Sequence, residues 1–324
     1  VVDKAGNVSS EVTTNVITEK PSAKDTILAN SKVNEGTPNF GNIATTDEGL
    51  YKAEDDWGES YYFRGAVTNN WIKFAGYYWR IIRINGDGSI RLIYNGTSTA
   101  TTGTSTQIST SAFNSSYNDN MYVGYMYASN QVHGLGNSST IKGVLDSWYD
   151  SNLTSSADKI STEAGFCGDR EPSTSNTASN GSGGTGTKQT FYGGYIRLVN
   201  STKFPTLKCR NSSDLYTTSS SSKGNKALSN PIGLITADEV AYAGGVDGTN
   251  NINYYLYNNQ NYWTMSPNSF GRAAMYSATF VVDYHGGLNE FRTDSTSGVR
   301  PVINLASDVT ITGSGTSSDP YVVI

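Results

Sequence analysis

Two apolar runs, Trp79-Arg80-Ile81-Ile82-Arg83-Ile84 and Ser89-Ile90-Arg91-Leu92-Ile93-Tyr94, flank Asn85-Gly86-Asp87-Gly88. Asn-Gly and Asp-Gly supply the positive φ angles that a tight turn demands, so the stretch predicts a β-hairpin. Aromatic-rich segments precede it: Gly49–Ala53, Tyr61–Gly65 and Trp71–Gly76. A polar excursion of Thr, Ser and Asn follows over residues 97–120. Ile141, Val144, Leu145, Trp148 and Tyr149 then recur at the spacing of one helical face. That spacing predicts a core helix capped by Thr140 and ending near Leu153. Residues 232–245 read as a short strand running into a short helix, with Thr236 and Glu239 placed for a capping box. The C-terminal third alternates strands and turns: Asn261–Pro267, Ala274–Val282, the turn Tyr284–Gly287, Leu288–Phe291 and Gly298–Leu305. Together these predict an α+β fold of small antiparallel sheets, one or two helices and long polar loops.

Composition narrows the class of function. The 324 residues carry 23 Lys and Arg against 28 Asp and Glu, a net charge of −5, and only 16% are charged. A pI near 5.1 gives no basic face for nucleic acid. Aromatics reach 11%, which argues against charge-driven disorder. No apolar run approaches the length that crosses a bilayer. The opening Val1-Val2-Asp3-Lys4-Ala5-Gly6 has neither an initiator Met nor a signal-peptide pattern, and it reads as part of a longer polypeptide.

Cys167 and Cys209 are the two cysteines, and His133 and His285 the two histidines. Four such residues from distant places make a poor structural zinc site. A disulfide between the cysteines, 42 positions apart, would contribute about 4 kcal/mol in the chain-entropy model. It suits an extracellular protein, and two buried thiols are the alternative.

Residues 8–17 alternate as a strand, and residues 19–44 read as a linker with a short helix. The main domain spans residues 45–312, interrupted by a low-complexity, flexible insertion at 173–188. Residues 313–324 form a polar C-terminal tail. The opening Asp3-Lys4-Ala5-Gly6-Asn7-Val8-Ser9 resembles the end of bacterial immunoglobulin-like repeats, which implies that residues 1–18 are the terminal strand of such a repeat. A lone strand needs a partner, so self-assembly through residues 8–17, as in donor-strand pairing, is one use for it.

The order of segments carries a second resemblance. Trp79-Arg80-Ile81-Ile82-Arg83 is followed by a Trp-bearing helix, Gly233-Leu234-Ile235-Thr236-Ala237-Asp238-Glu239, Tyr262-Trp263-Thr264-Met265-Ser266-Pro267 and Gly298-Val299-Arg300-Pro301-Val302-Ile303-Asn304-Leu305. Over residues 45–310 this resembles a family of bacterial surface domains with the C-type-lectin-like fold. It is similar, more distantly, to formylglycine-generating enzymes and to the variable proteins of diversity-generating retroelements. The resemblance implies a ligand-binding surface on the C-terminal strands, carried by Trp263, Ser266, Asn268, Ser269, Phe270, Arg272, Tyr284, His285, Asn289 and Arg292. It implies structural roles for Arg300 and Pro301, and core positions for Trp79 and Trp148.

Chemistry is the weaker reading. There is no G-x-S-x-G elbow beside His133 or His285. The formylglycine-generating relatives use a closely spaced cysteine pair for copper, a pattern that Cys167 and Cys209 depart from. Asp55, Asp56, Glu59, Asp238 and Glu239 read as surface acids rather than a glycosidase pair. Tyr254, Tyr255, Tyr257, Tyr262, Trp263, Phe270, Tyr276 and Tyr284 lie among Asn, Ser and Gly, a composition that suits recognition of glycans or proteins. In a strand only alternate positions face outward, so half of them are available. Oxygen ligands for calcium exist at Asp247 with Asn250-Asn251 and at Asp55-Asp56 with Glu59. The paired lectin motifs for calcium-bound sugar are absent, so no metal or other cofactor is assigned. The sequence thus predicts a non-catalytic, extracellular, adhesin-type domain at a bacterial cell surface, binding a host or neighbouring-cell glycan or protein. A surface-fibre subunit and, below it, a formylglycine-generating-type oxidase are the alternatives.

Overall fold

The computed structural model describes residues 4–6, 20–173, 183–200, 202–272 and 274–324. The expected strand at 8–17 and residues 174–182 of the expected insertion lie outside them.

Helix α1 (Ala23–Ala29) and strand β1 (Val33–Asn34) precede β2 (Asp47–Asp55) and β3 (Gly58–Gly65). Next come β4 (Trp71–Phe74), β5 (Tyr77–Ile84), β6 (Ile90–Tyr94) and β7 (Ser109–Ala112). The middle of the chain holds β8 (Met126–Tyr127), β9 (Asn137–Ser138), α2 (Thr140–Asn152) and β10 (Phe166–Cys167). It continues through β11 (Thr190–Phe191), α3 (Gly193–Leu198), β12 (Leu215–Tyr216) and α4 (Ala237–Ala243). Seven strands close the chain: β13 (Tyr262–Phe270), β14 (Ser277–Val282), β15 (Leu288–Arg292), β16 (Thr296–Val299), β17 (Val302–Leu305), β18 (Ile311–Thr312) and β19 (Tyr321–Val323).

The fold is mixed α/β and mostly sheet, and neither main sheet closes into a barrel. Among the described residues one sheet has nine strands, with β5 at its branch point. One edge of β5 pairs with β4 and then β3; the other takes β6, which pairs on with β17. The second sheet runs β15-β14-β13-β16-β7, with β11 against the far end of β13. The chain crosses between the sheets at Arg300-Pro301, between β16 and β17. Arg300 is buried there and donates to the carbonyls of Tyr94 and Leu256 and to Asn95 Oδ1.

The hairpin forms as its turn chemistry requires, with Trp79 opposite Tyr94 and Ile84 opposite Ile90. Helix α2 buries Ile141, Leu145 and Tyr149. Its half-buried Trp148 meets Trp79 and Tyr94 edge-on at centroid distances of 6.2 and 5.6 Å. Such aromatic pairs add about 0.5–1.5 kcal/mol each beyond their buried area. The cap of α2 is Ser139 rather than Thr140: Ser139 keeps an extended backbone, and its hydroxyl accepts from Lys142 N. In α4 the capping box forms as expected between Thr236 and Glu239, and Gly244 closes the helix at φ 110°. A Cβ at Gly244 would sit 2.5 Å from the Ala44 side chain, so glycine is required there.

Both ends of the described chain are more integrated than the sequence suggested. Ala23 and Ile27 of α1 are buried in the core, and β1 pairs in parallel with β2. The expected polar tail carries β19, which pairs in parallel with β4 and buries Tyr321 completely. These strands are too short for a periodic signal, and their partners lie far away in sequence. No helix among the described residues is long and apolar enough to cross a membrane.

Candidate functional site

The Tyr262–Phe270 strand carries five of the expected ligand-binding residues, and all of β13 is buried. Pro267 has no N–H to donate, and the ladder to β14 is irregular on both sides of it. Other groups fill the gap. Thr264 Oγ1 donates to Phe280 O, and Met265 N donates to Ile235 O. Ser266 Oγ accepts from Ala237 N in the first turn of α4. Trp263 donates its indole N–H to Ser111 O and stands edge-on to Phe113 and Phe291. Asn268 and Phe270 are fully buried, and the neighbouring Ser269 nearly so. Trp263, Ser266, Asn268, Ser269 and Phe270 are therefore packing and bracing residues, not ligand contacts. The expected alternation fails because α3 and α4 pack on this strand, as do the 120–123 turn and Phe113 just after β7.

The other five residues reach the surface, but at different places. Tyr284 and His285 occupy the turn between β14 and β15, their rings 3.8 Å apart and Tyr284 51% exposed. Asp283 Oδ1 accepts from the backbone N–H of His285 and Gly287 to hold that turn. Gly286, at φ 82°, is required in it, because a Cβ would lie 2.0 Å from Asn251 O. Arg292 sits at the opposite end of β15, opposite Ala278. Asn289 alternates onto the face of β15 away from Arg292.

Arg272 and Arg292 do come together. Glu290 and Arg292 share one face of β15, and Arg272, from the loop after β13, pairs with Glu290. The Arg292 guanidinium lies 4.3 Å over the Tyr117 ring and is held by Asp294 at 2.5 Å. That contact raises the Arg292 pKa. The Arg272 guanidinium lies 5.2 Å over Tyr195. Met275, 57% exposed, packs its sulfur near Gly271 at the base of the same loop. Ser277 ties the patch together, its N–H donating to Tyr117 O at 2.7 Å. Tyr117, Tyr195, Met275 and Glu290 were not anticipated from sequence. Tyr117 arrives from the polar stretch after β7, and nothing local in that stretch marks it.

The expected calcium ligands are engaged elsewhere. Asp55 binds Arg83 and the N–H groups of Trp57 and Gly86. Glu59 pairs with Tyr61 and Lys52. Asn251 donates to Ala44 O and Gly244 O, and burial pushes the Asp247 carboxyl up to about 6. Among the described residues no three His, Cys, Asp or Glu side chains converge as a metal group. Asp55, Asp238 and Glu239 are not surface acids: each is buried in an ion pair with Arg83, Arg197 or Arg91. Arginines inside apolar strands, as in Trp79–Ile84, were the sequence signal for buried acids.

Cys167 and Cys209 form a disulfide, with Cα atoms 5.4 Å apart. His133 is wedged between Asp214, 3.0 Å from Nδ1, and Glu171, 3.1 Å from Nε2. The Asp214 interaction raises its pKa. No protein-family model, curated protein or solved structure matches the chain.

Proposed function

We propose that this chain is a non-catalytic, adhesin-type ligand-binding domain of an extracellular bacterial surface protein, built on the C-type-lectin-like fold. It recognises a host or neighbouring-cell glycan or protein through the face made by Arg272, Met275, Glu290, Arg292 and Tyr117. The observation that carries this reading is the pair of arginines stacked on tyrosines along one face of β15, beside an exposed methionine. Arg and Tyr are enriched at binding hot spots, Tyr because it gives large contact area at low entropic cost and Arg because its guanidinium offers several donors and stacks on rings. The sheet beneath them is buried and braced, so the face is pre-organised. The disulfide favours an oxidising, extracellular compartment.

The test is binding of the purified chain to an array of glycans and host glycoproteins, with calcium and with chelator. A saturable signal that falls in Arg272→Ala and Arg292→Ala supports the reading. A signal unchanged in both variants places the binding surface elsewhere. Silence on the array together with concentration-dependent sedimentation would favour a fibre subunit instead.

A further inference from the structure

A second site lies on the other sheet, in the polar excursion that the reading above leaves unused. The β4–β5 pair, Asn95, the 99–106 loop and the 255–258 segment line a half-open pocket of about 190 Å3. The space holds several waters and opens to solvent, so a sugar ring can enter it.

Arg80 lines this cavity and is 7% exposed. It sits opposite Trp71 in the β4–β5 ladder, its guanidinium 4.3 Å over the indole and 5.4 Å over Tyr255. Its Nε donates to Asn70 Oδ1 at 2.6 Å and its Nη2 to Val67 O at 2.7 Å. Nη1 donates to nothing among the described residues, and no carboxylate there pairs with this cation. Every other buried arginine except Arg300 has a carboxylate partner. Burial accordingly draws the Arg80 pKa down to about 9, with the Arg300 charge adding to the effect. A buried cation without a counter-ion is costly, and an anion entering beside it would recover much of that cost.

The walls also carry polar groups that the protein does not use. Asn95 Oδ1 accepts from Arg300, and its Nδ2 donates to nothing among the described residues. Thr99, Thr102 and Tyr257 make no side-chain hydrogen bond among the described residues. Hydroxyl and amide groups around an aromatic ring are suited to sugar hydroxyls, while the cation selects for a carboxylate.

We propose that this cavity binds a single acidic sugar, with its carboxylate on Arg80 Nη1 and its hydroxyls on Thr99, Thr102 and Asn95. The site shares no residue with the β15 face and does not rest on that reading.

Titration calorimetry of the full chain with glucuronate, glucose and inorganic sulfate tests it. Glucuronate should bind saturably, and glucose, which lacks the carboxylate, about tenfold or more weaker. Arg80→Gln should weaken glucuronate by about tenfold or more. Equal binding of glucose, tighter binding of sulfate, unaltered affinity in Arg80→Gln, or no glucuronate heat up to its solubility limit would each overturn the proposal. Should Arg80→Gln fail to fold, the double variant Thr99→Val/Thr102→Val decides. Loss of a few-fold in affinity supports the site, and unchanged affinity overturns it.

Discussion

The paired-charge cluster beneath α4 and the Arg80–Arg300 region solve the same problem in opposite ways. Seven arginines are buried among the described residues, and five have carboxylates. Arg83 bridges Asp55 and Glu239 at 2.5 and 3.0 Å, and Glu239 also takes Arg91 at 2.5 Å. Burial would raise the Glu239 carboxyl, yet Arg91 and Arg83 hold it below the usual range. Three residues before Arg83, Arg80 has amide and carbonyl acceptors and two aromatic rings, but no acid. Arg300 is likewise bound by carbonyls and Asn95, with its guanidinium 4.8 Å over Tyr262. The difference teaches that a buried cation can be held by carboxylates or by neutral acceptors and aromatic rings. The first arrangement balances its charge within the fold; the second, at Arg80, leaves the Nη1 that the proposal above uses.

The largest effect should come from breaking the balanced network. Glu239→Gln leaves Arg91 buried without a carboxylate and should cost about 3–5 kcal/mol in urea unfolding. A cost below about 1 kcal/mol, the scale of an ordinary hydrogen bond, would break the contrast. In the acid-free region, Asn95→Ala removes one neutral acceptor from Arg300 and should cost about 1–3 kcal/mol.

A smaller, pH-dependent effect is expected at His133, which faces Asp214, Glu171, Arg170 and Asn211. Its raised pKa means that its charge contributes stability fully below the unfolded value near 6.5. That contribution disappears as pH rises through the higher folded value. The stability gap between wild type and His133→Asn should therefore be larger at acidic than at alkaline pH, and a gap that widens with pH would contradict the assignment. Smallest of all, Arg292→Ala should leave the melting temperature unchanged, because its ion pair with Asp294 lies in solvent. A clear fall would mean that the β15 face is structural.

Legibility followed the range of the interactions. The hairpin and the α4 capping box were readable because turn and cap chemistry act within a few residues. The disulfide was readable because only two cysteines exist. The pairing of Arg83 with Glu239 was not, since those positions are 156 residues apart. The burial of Trp263, Ser266, Asn268, Ser269 and Phe270 was hidden for a related reason: alternation predicts exposure only where one face of a strand is left uncovered. Arg272 and Arg292 were foreseen as surface residues, but the tyrosines beneath them come from segments that carry no local mark.

The most direct test compares Arg83→Met with Arg80→Met by equilibrium urea unfolding. Arg83→Met leaves Asp55 and one side of Glu239 without their cation and should cost about 3–5 kcal/mol. Arg80→Met strands only neutral acceptors at Asn70 and Val67, so it should cost at most about half as much. If Arg80→Met proves as damaging as Arg83→Met, Arg80 is a structural residue like the others, and the contrast between the two regions fails.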